Sequence, residues 1–200
     1  MQVVVCGADG ATGRHLVEQA RERGWTVTTV RDGTDTGPTD ARDAAQVAQA
    51  VDGAVALLSV VGERDRARTT LYSDCARAYL EALDGRSCRL VFCTGAGVDE
   101  PPAADPWIRD HIDGPVRGYP GREDMVAAEA LLRSSPLDWV VVRPGRLHDR
   151  PALGTVEASE RFRPELGTSL ARADLARFML DQVTGDDWLR RTATLASPWD

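Results

Sequence analysis

Short runs of almost unbroken Val and Leu recur along the chain with amphipathic segments between them, and this alternation restricts the fold more than any other feature. The runs are "QVVVC" (2–6), "WTVTTV" (25–30), "AVALLSV" (54–60), "RLVFCT" (89–94) and "LDWVVVR" (137–143). The segments between them, 11–23, 41–51, 66–83 and 121–134, repeat their apolar residues at helical spacing. In the first, Leu16, Val17 and Ala20 share one face, Arg14, Glu18 and Arg21 look outward, and Gly24 ends the helix. Strands that read as continuously apolar, rather than alternating, are those covered by helices on both faces. Regular β, α, β, α order therefore predicts an α/β fold, a doubly wound and mostly parallel sheet. A last helix is expected at about 170–183, with Leu175, Phe178, Met179 and Val183 on one face, followed by a short strand at 192–196.

Two stretches break the rhythm. Residues 95–120 carry Gly95, Gly97, Pro101, Pro102, Pro106, Gly114, Pro115, Gly118 and Pro120, so no regular element is expected there. Residues 144–169 form a second expected loop. Both leave from carboxyl ends of strands, the side on which open parallel sheets bind ligands.

The first strand runs straight into "GADGATGR", which sets Gly7, Gly10 and Gly13 in a G-x-x-G-x-x-G turn before the first helix. A strand, a glycine turn and a helix start aim backbone N–H groups and a positive helix end at one point, a fit for a pyrophosphate. Gly7 would allow the tight turn, Gly10 the approach of phosphate, and Gly13 the packing of helix on strand. Cofactor choice should be legible at the end of the second strand. Arg31 stands there, eighteen residues after Gly13, and suits the 2′-phosphate of NADP(H) better than the diol of NAD(H), while the adjacent Asp32 pulls the other way. Arg14 serves equally as a second contact to that phosphate or as a solvated helix residue. Asp40 either accepts the adenine amino group or caps the helix that follows.

With 200 residues, 42% hydrophobic content and 28% charge, the chain reads as one folded domain spanning 1–200. A formal charge of −7, with no basic stripe, argues against nucleic acid as a partner. No apolar run reaches the roughly 18 residues of a membrane span. No basic-then-apolar leader opens the sequence, so a cytoplasmic location is expected. Cys6, Cys75, Cys88 and Cys93 form no C-x-x-C pair and lie in or beside apolar runs, so they read as buried small hydrophobes. All 24 basic residues are arginine. Without a lysine, a Schiff base or a lysine general base is impossible.

"GADGATGR" and "VTTVRD", then "GAVALLSVVG" (53–62), "LVFCTGAGV" (90–98), "AAEALLRSSPLDWVVVRPGRL" (127–147) and "RADLARFMLDQV" (172–183), together resemble the atypical short-chain dehydrogenase/reductases. Within that group the chain is similar to the small NAD(P)H-binding proteins that include biliverdin-IXβ/flavin reductase and the NmrA-like redox sensors. The resemblance implies a Rossmann-type fold with NADP across Gly7, Asp9, Gly10, Ala11, Thr12, Gly13 and Arg14. It places substrate over the nicotinamide, between the loops after the fourth and fifth strands, with Thr94 and Pro144 bordering the cofactor. Asp9 departs from the usual threonine, and sits awkwardly beside a pyrophosphate unless its carboxylate turns away to backbone N–H groups.

Typical members of the superfamily use a Tyr and a Lys four residues apart. Aligned on Glu129, those positions fall on Gly121 and Met125, and Tyr119 nearby is unassisted. Hydride transfer to an already conjugated acceptor relies chiefly on positioning. Thr94 takes the place near the superfamily serine, to touch nicotinamide or substrate or else to bond backbone. Arg146, where the resembling reductases carry histidine, could hold a carboxylate or oxyanion. His148 could supply a proton, as histidines do near neutral pH, or simply be solvated. His111 and Trp107 are candidates to roof the pocket, and His15 reads as structural. No metal-ligand spacing stands out.

Three functions remain open at this stage. One is an NADPH-dependent reductase for a flat conjugated small molecule such as a flavin, quinone, tetrapyrrole or enone. Another is a non-catalytic NADP(H) sensor. The third is a cyclase or isomerase using Arg146, His148 or Asp149. A monomer or homodimer is expected.

Overall fold

A computed structural model of the chain describes residues 1–31, 39–62, 69–98, 121–161 and 167–198. Asp32, Trp107, His111 and Tyr119 lie outside the described residues, as does most of the expected 95–120 loop, of which a 3-10 turn at Ala96–Val98 is seen.

The elements are β1 (Gln2–Cys6), α1 (Ala11–Glu22), β2 (Thr26–Val30), α2 (Ala44–Ala50), β3 (Ala56–Ser59), α3 (Leu71–Ala82), β4 (Arg89–Cys93), α4 (Arg122–Arg133), β5 (Trp139–Pro144), β6 (Arg146–His148), β7 (Glu157–Ser159), β8 (Ser169–Ala171), α5 (Arg172–Asp181) and β9 (Arg191–Ala196). Seven strands make one sheet in the order β2-β1-β3-β4-β5-β9-β7, parallel except for β7 against β9. The predicted doubly wound α/β sheet is what forms.

Successive side chains of a strand point to opposite faces, and here both faces are apolar. Val4 and Cys6 of β1 join Leu57, Leu90, Phe92 and Val141 in one layer beneath α2, α3 and α4. Val3 and Val5 join Leu58, Val91, Val140 and Val142 in the other, beneath α1 and α5. β2 is the exception, half exposed along its length, as suits an edge strand rich in Thr.

The 144–169 stretch is not the irregular loop expected. β6 pairs in parallel with β8 through Arg146↔Ser169 and His148↔Ala171, and β7 adds to the sheet edge beside β9. Three-residue strands such as "EAS" make their ladder bonds with backbone alone and leave no periodic trace in sequence. Among the described residues, no helix is long and apolar enough to cross a membrane.

From β1 the chain moves to β2 on one side, then to β3, β4 and β5 on the other. The reversal falls between β1 and β3, and the crevice outside the carboxyl ends of strands at such a point is where α/β sheets bind ligands. The glycine turn leaves β1 there.

Candidate functional site

The turn is held by short backbone bonds, Gly7 N to Val30 O at 3.0 Å and Gly10 N to Gly7 O at 3.1 Å. Gly7 has φ +83°, and a Cβ there would sit 2.8 Å from Val60 O. A Cβ on Gly13 would lie 2.1 Å from Gly7 O and 2.6 Å from Ala8 Cα, so α1 rests directly on the turn. Gly10 is the N-cap of α1, and no side chain caps the helix. The first N–H groups of a helix have no intrahelical partner, and those of Ala11, Thr12 and Gly13, the first residues of α1, are capped by no side chain among the described residues. This cradle suits a pyrophosphate in both shape and polarity.

Around it the structure gathers the charged residues named from sequence, in a way the sequence did not suggest. Asp9 does not turn to backbone N–H groups. Its Oδ2 stands 3.4 Å from Arg31 Nε, with both side chains about half exposed. Arg14 Nη1 donates to the main-chain oxygen of Asp9 at 2.9 Å, so it is neither wholly solvated nor free. Asp40 does not cap α2. Asp43 does, accepting from the N–H groups of Ala45 and Gln46. Both Asp40 oxygens instead meet the Arg42 guanidinium, which holds that carboxyl below its usual range.

Farther along the crevice, Thr94 follows β4 with its N–H on Val142 O. Its hydroxyl donates to Glu129 Oε1 at 2.8 Å. Glu129 is fully buried on α4, and receives Arg143 Nε at 2.8 Å, Arg143 Nη2 at 2.5 Å and Arg133 Nη2 at 2.5 Å. The Thr94 hydroxyl is therefore neither bonded to backbone nor left free, but tied to a buried ion pair. Glu129 and Arg143 were missed as functional residues, although both leave a signal. Glu129 falls on the apolar face of its helix with Met125, Ala128 and Leu132, and Arg143 ends the apolar run "WVVV". An acid and a base buried on facing elements must find each other.

Gly121 opens α4 and Met125, 4% exposed, packs toward Gly95, so apolar side chain fills the place a lysine would take by the alignment above. Pro144 ends β5 beside Leu195, and a Cβ on the next residue, Gly145, would lie 2.6 Å from Thr168 O.

Arg146 and His148 sit on β6, Arg146 exposed and His148 half-buried. His148 borders a cavity of about 500 Å³ with Arg150, Leu153, Thr168, Ser169 and Ser197. Its Nδ1, and Ser197 Oγ, are shielded from solvent and have no hydrogen-bond partner among the described residues. Thr94 is not among the described residues lining that cavity, so the two proposed catalytic side chains do not share one wall. Asp149 is engaged by Arg172 at 2.9 Å. Buried Asp174 on α5 accepts from the N–H groups of Leu153 and Gly154, which fixes the cavity's loop.

The sequence profile of the NAD(P)H-binding family matches residues 7–186. The chain belongs to that family. Solved structures agree on the fold. A candidate NADH-flavin reductase from Streptococcus pneumoniae TIGR4 superposes with a TM-score of 0.81 at 21% identity, over 98% of this chain and 99% of that one. ChuY, an anaerobillin reductase from Escherichia coli O157:H7, gives 0.76 at 20% identity, over 99% and 98%. A protein from Bacillus halodurans, named as a candidate NAD-dependent epimerase/dehydratase, also gives 0.76 at 20%, over 99% and 96%. Membership of the NAD(P)H-binding family is the resemblance that the glycine turn and its companion motifs carried.

Proposed function

We propose that this NAD(P)H-binding protein is a reductase, a single domain spanning 1–200, that passes hydride from NADPH to a flat conjugated small molecule. The acceptor class is a flavin, quinone, tetrapyrrole or enone. The observation that carries the reading is the uncapped start of α1 behind a glycine cradle at the sheet's switch point, with Thr94 farther along the same edge. Reductases among the solved structures of like fold are consistent with it.

When bound, the cofactor supplies the hydride. Gly7 through Gly13 would hold its pyrophosphate, and Arg31, with Arg14 as a second contact, would draw the adenosine end toward the phosphorylated form, with NADH the weaker ligand. The Thr94 hydroxyl, whose proton goes to Glu129, can only accept a further hydrogen bond. It orients a donor such as the nicotinamide amide rather than protonating substrate. Arg146 steadies negative charge on the acceptor, and His148 or solvent returns the proton.

A second reading, a non-catalytic sensor of the NADP(H) pool, is favoured by that same commitment of the Thr94 proton and by apolar Met125 in the lysine position. One experiment separates the two. NADPH absorbance is followed by stopped-flow and steady-state mixing with FMN, a quinone and dichlorophenol-indophenol. Oxidation that falls sharply in Thr94→Val or His148→Ala supports the reductase. Tight binding with no oxidation by any acceptor refutes it and supports the sensor. No binding at all refutes both.

A further inference from the structure

Arg31 does not act alone at the adenosine end of the groove. The β1–β2 ladder ends at Cys6↔Val30, and Gly7 N then bonds Val30 O. The glycine turn and the end of β2 are thus stapled together, and the first charged residue of each is brought face to face. Asp9 Oδ2 lies 3.4 Å from Arg31 Nε, and the Asp9 carbonyl oxygen holds Arg14 at 2.9 Å. Both arginines suited to a 2′-phosphate are already turned to the same acidic residue. The neighbouring groove, about 570 Å³, sets Asp9, Glu18 and Glu22 against Arg14 and Arg21. Acids outnumber arginines along its wall.

We propose that Asp9 is the coenzyme-discriminating residue of this site, holding the preference for NADPH over NADH within about tenfold by opposing Arg31. The inference rests on the nicotinamide-nucleotide reading above and sharpens its choice of ligand. A 2′-phosphate carries close to two negative charges and takes Arg31 only against the repulsion of Asp9 and the loss of the Asp9–Arg31 pair. A ribose 2′,3′-diol is uncharged and donates hydrogen bonds, which a carboxylate accepts. In most NAD sites that carboxylate comes from the end of the second strand. Here it comes from the glycine turn, and the strand end supplies the arginine. Neutralising Asp9 removes an acceptor for the diol and releases the arginine for phosphate.

The test uses ligand fragments and needs no turnover. Dissociation constants for 2′,5′-ADP and 5′-ADP are measured by calorimetry on the unmodified chain, Asp9→Asn, Arg31→Gln and the double variant. Both side chains are half exposed, so the fold tolerates the changes. Asp9→Asn should tighten 2′,5′-ADP about tenfold and leave 5′-ADP unchanged or weaker. The gain should shrink at high salt, as screening requires. It should be lost when Arg31→Gln is also present. A change in the ratio of the two constants below about twofold, small against the expected tenfold, overturns the role of Asp9. So does an undiminished gain in the Arg31→Gln background. If neither nucleotide binds the unmodified chain, the cofactor site itself is overturned, a result distinct from both.

Discussion

Glu129→Gln should cost this protein far more stability than a glutamate-to-glutamine change on a surface. The unmodified carboxylate is fully buried and receives four donors, one from Thr94, two from Arg143 and one from Arg133. Glutamine keeps one acceptor oxygen, replaces the other with an N–H group that faces a guanidinium, and removes the negative charge. The Arg143 side chain, 5% exposed, then loses the Glu129 charge it is paired with. Breaking one side of a buried pair costs about 3–5 kcal/mol. The retained acceptor puts the expected loss near the lower limit. At about 2–4 °C per kcal/mol for a chain of this size, the melting temperature should fall by roughly 6–12 °C.

Urea and thermal unfolding followed by circular dichroism measure the loss. Arg133→Gln is the control, because Arg133 is 46% exposed and a pair of that kind contributes only about 0–1 kcal/mol. Glu129→Met combined with Arg143→Met should recover much of what either single change loses, since apolar residues of similar volume often replace a buried pair without penalty. A loss below about 1 kcal/mol for Glu129→Gln would refute the reasoning, for that is the range of an exposed pair. So would single losses that simply add in the double variant.

Gly13→Ala should destabilise the fold by at least the roughly 1–3 kcal/mol typical of overpacking and abolish nucleotide binding, because the new methyl would meet backbone atoms at 2.1 and 2.6 Å. Calorimetry with 5′-ADP beside urea unfolding checks both, and wild-type affinity in that variant would contradict the cradle. The four cysteines are free and buried, and burial pushes Cys6 and Cys93 up to about 12 and Cys88 up to about 11. None should react quickly with a disulfide reagent at pH 8 until urea is added. Because these thiol pKa values are raised in the folded state, their contribution to stability is complete below the unfolded value of about 8.5 and is lost as pH rises toward 11 and 12. Stability that rises between pH 9 and 11 would contradict this. Asp174→Asn should speed amide exchange at Leu153 and Gly154, whose N–H groups the buried carboxylate accepts at 2.9 and 3.2 Å, while leaving nucleotide affinity unchanged. Unaltered exchange would show that another contact fixes the loop.

How legible each feature was depends on whether it draws on side-chain pattern or on three-dimensional meeting. Among the described residues, the five α-helices and the main strands rest on buried faces, and burial writes a period into sequence. Their ends shifted by a few residues, as when α2 began at Ala44 rather than at 41, because Asp43 and not Asp40 supplies the cap. β6, β7 and β8 have three residues each and rest on backbone bonds, so nothing in "RLH", "EAS" or "SLA" marks them. The Asp9–Arg31 pair joins residues twenty-two apart in the chain and follows from the register of β1 on β2, which no local pattern records. Glu129 and Arg143 were visible as charges in apolar surroundings, yet only the parallel sheet with α4 on one face makes them partners.

That pair also bears on how a member of this family works without a Tyr–Lys dyad. A hydroxyl has one proton and two lone pairs, so where its proton points decides its chemistry. Thr94 points its proton at Glu129, whose carboxyl oxygens also receive Arg143 and Arg133. With its proton committed to Glu129, the Thr94 hydroxyl has only lone pairs to offer a further partner. In the typical dyad one group both orients the reacting carbonyl and protonates it. On the reading proposed above the two tasks would be separated, with orientation by Thr94 at the end of β4 and any proton delivery by another group, such as His148 on β6. Such a division suits acceptors whose conjugation stabilises the anion left by hydride arrival, since protonation can then follow hydride transfer from a group or a water that need not touch the reacting carbon.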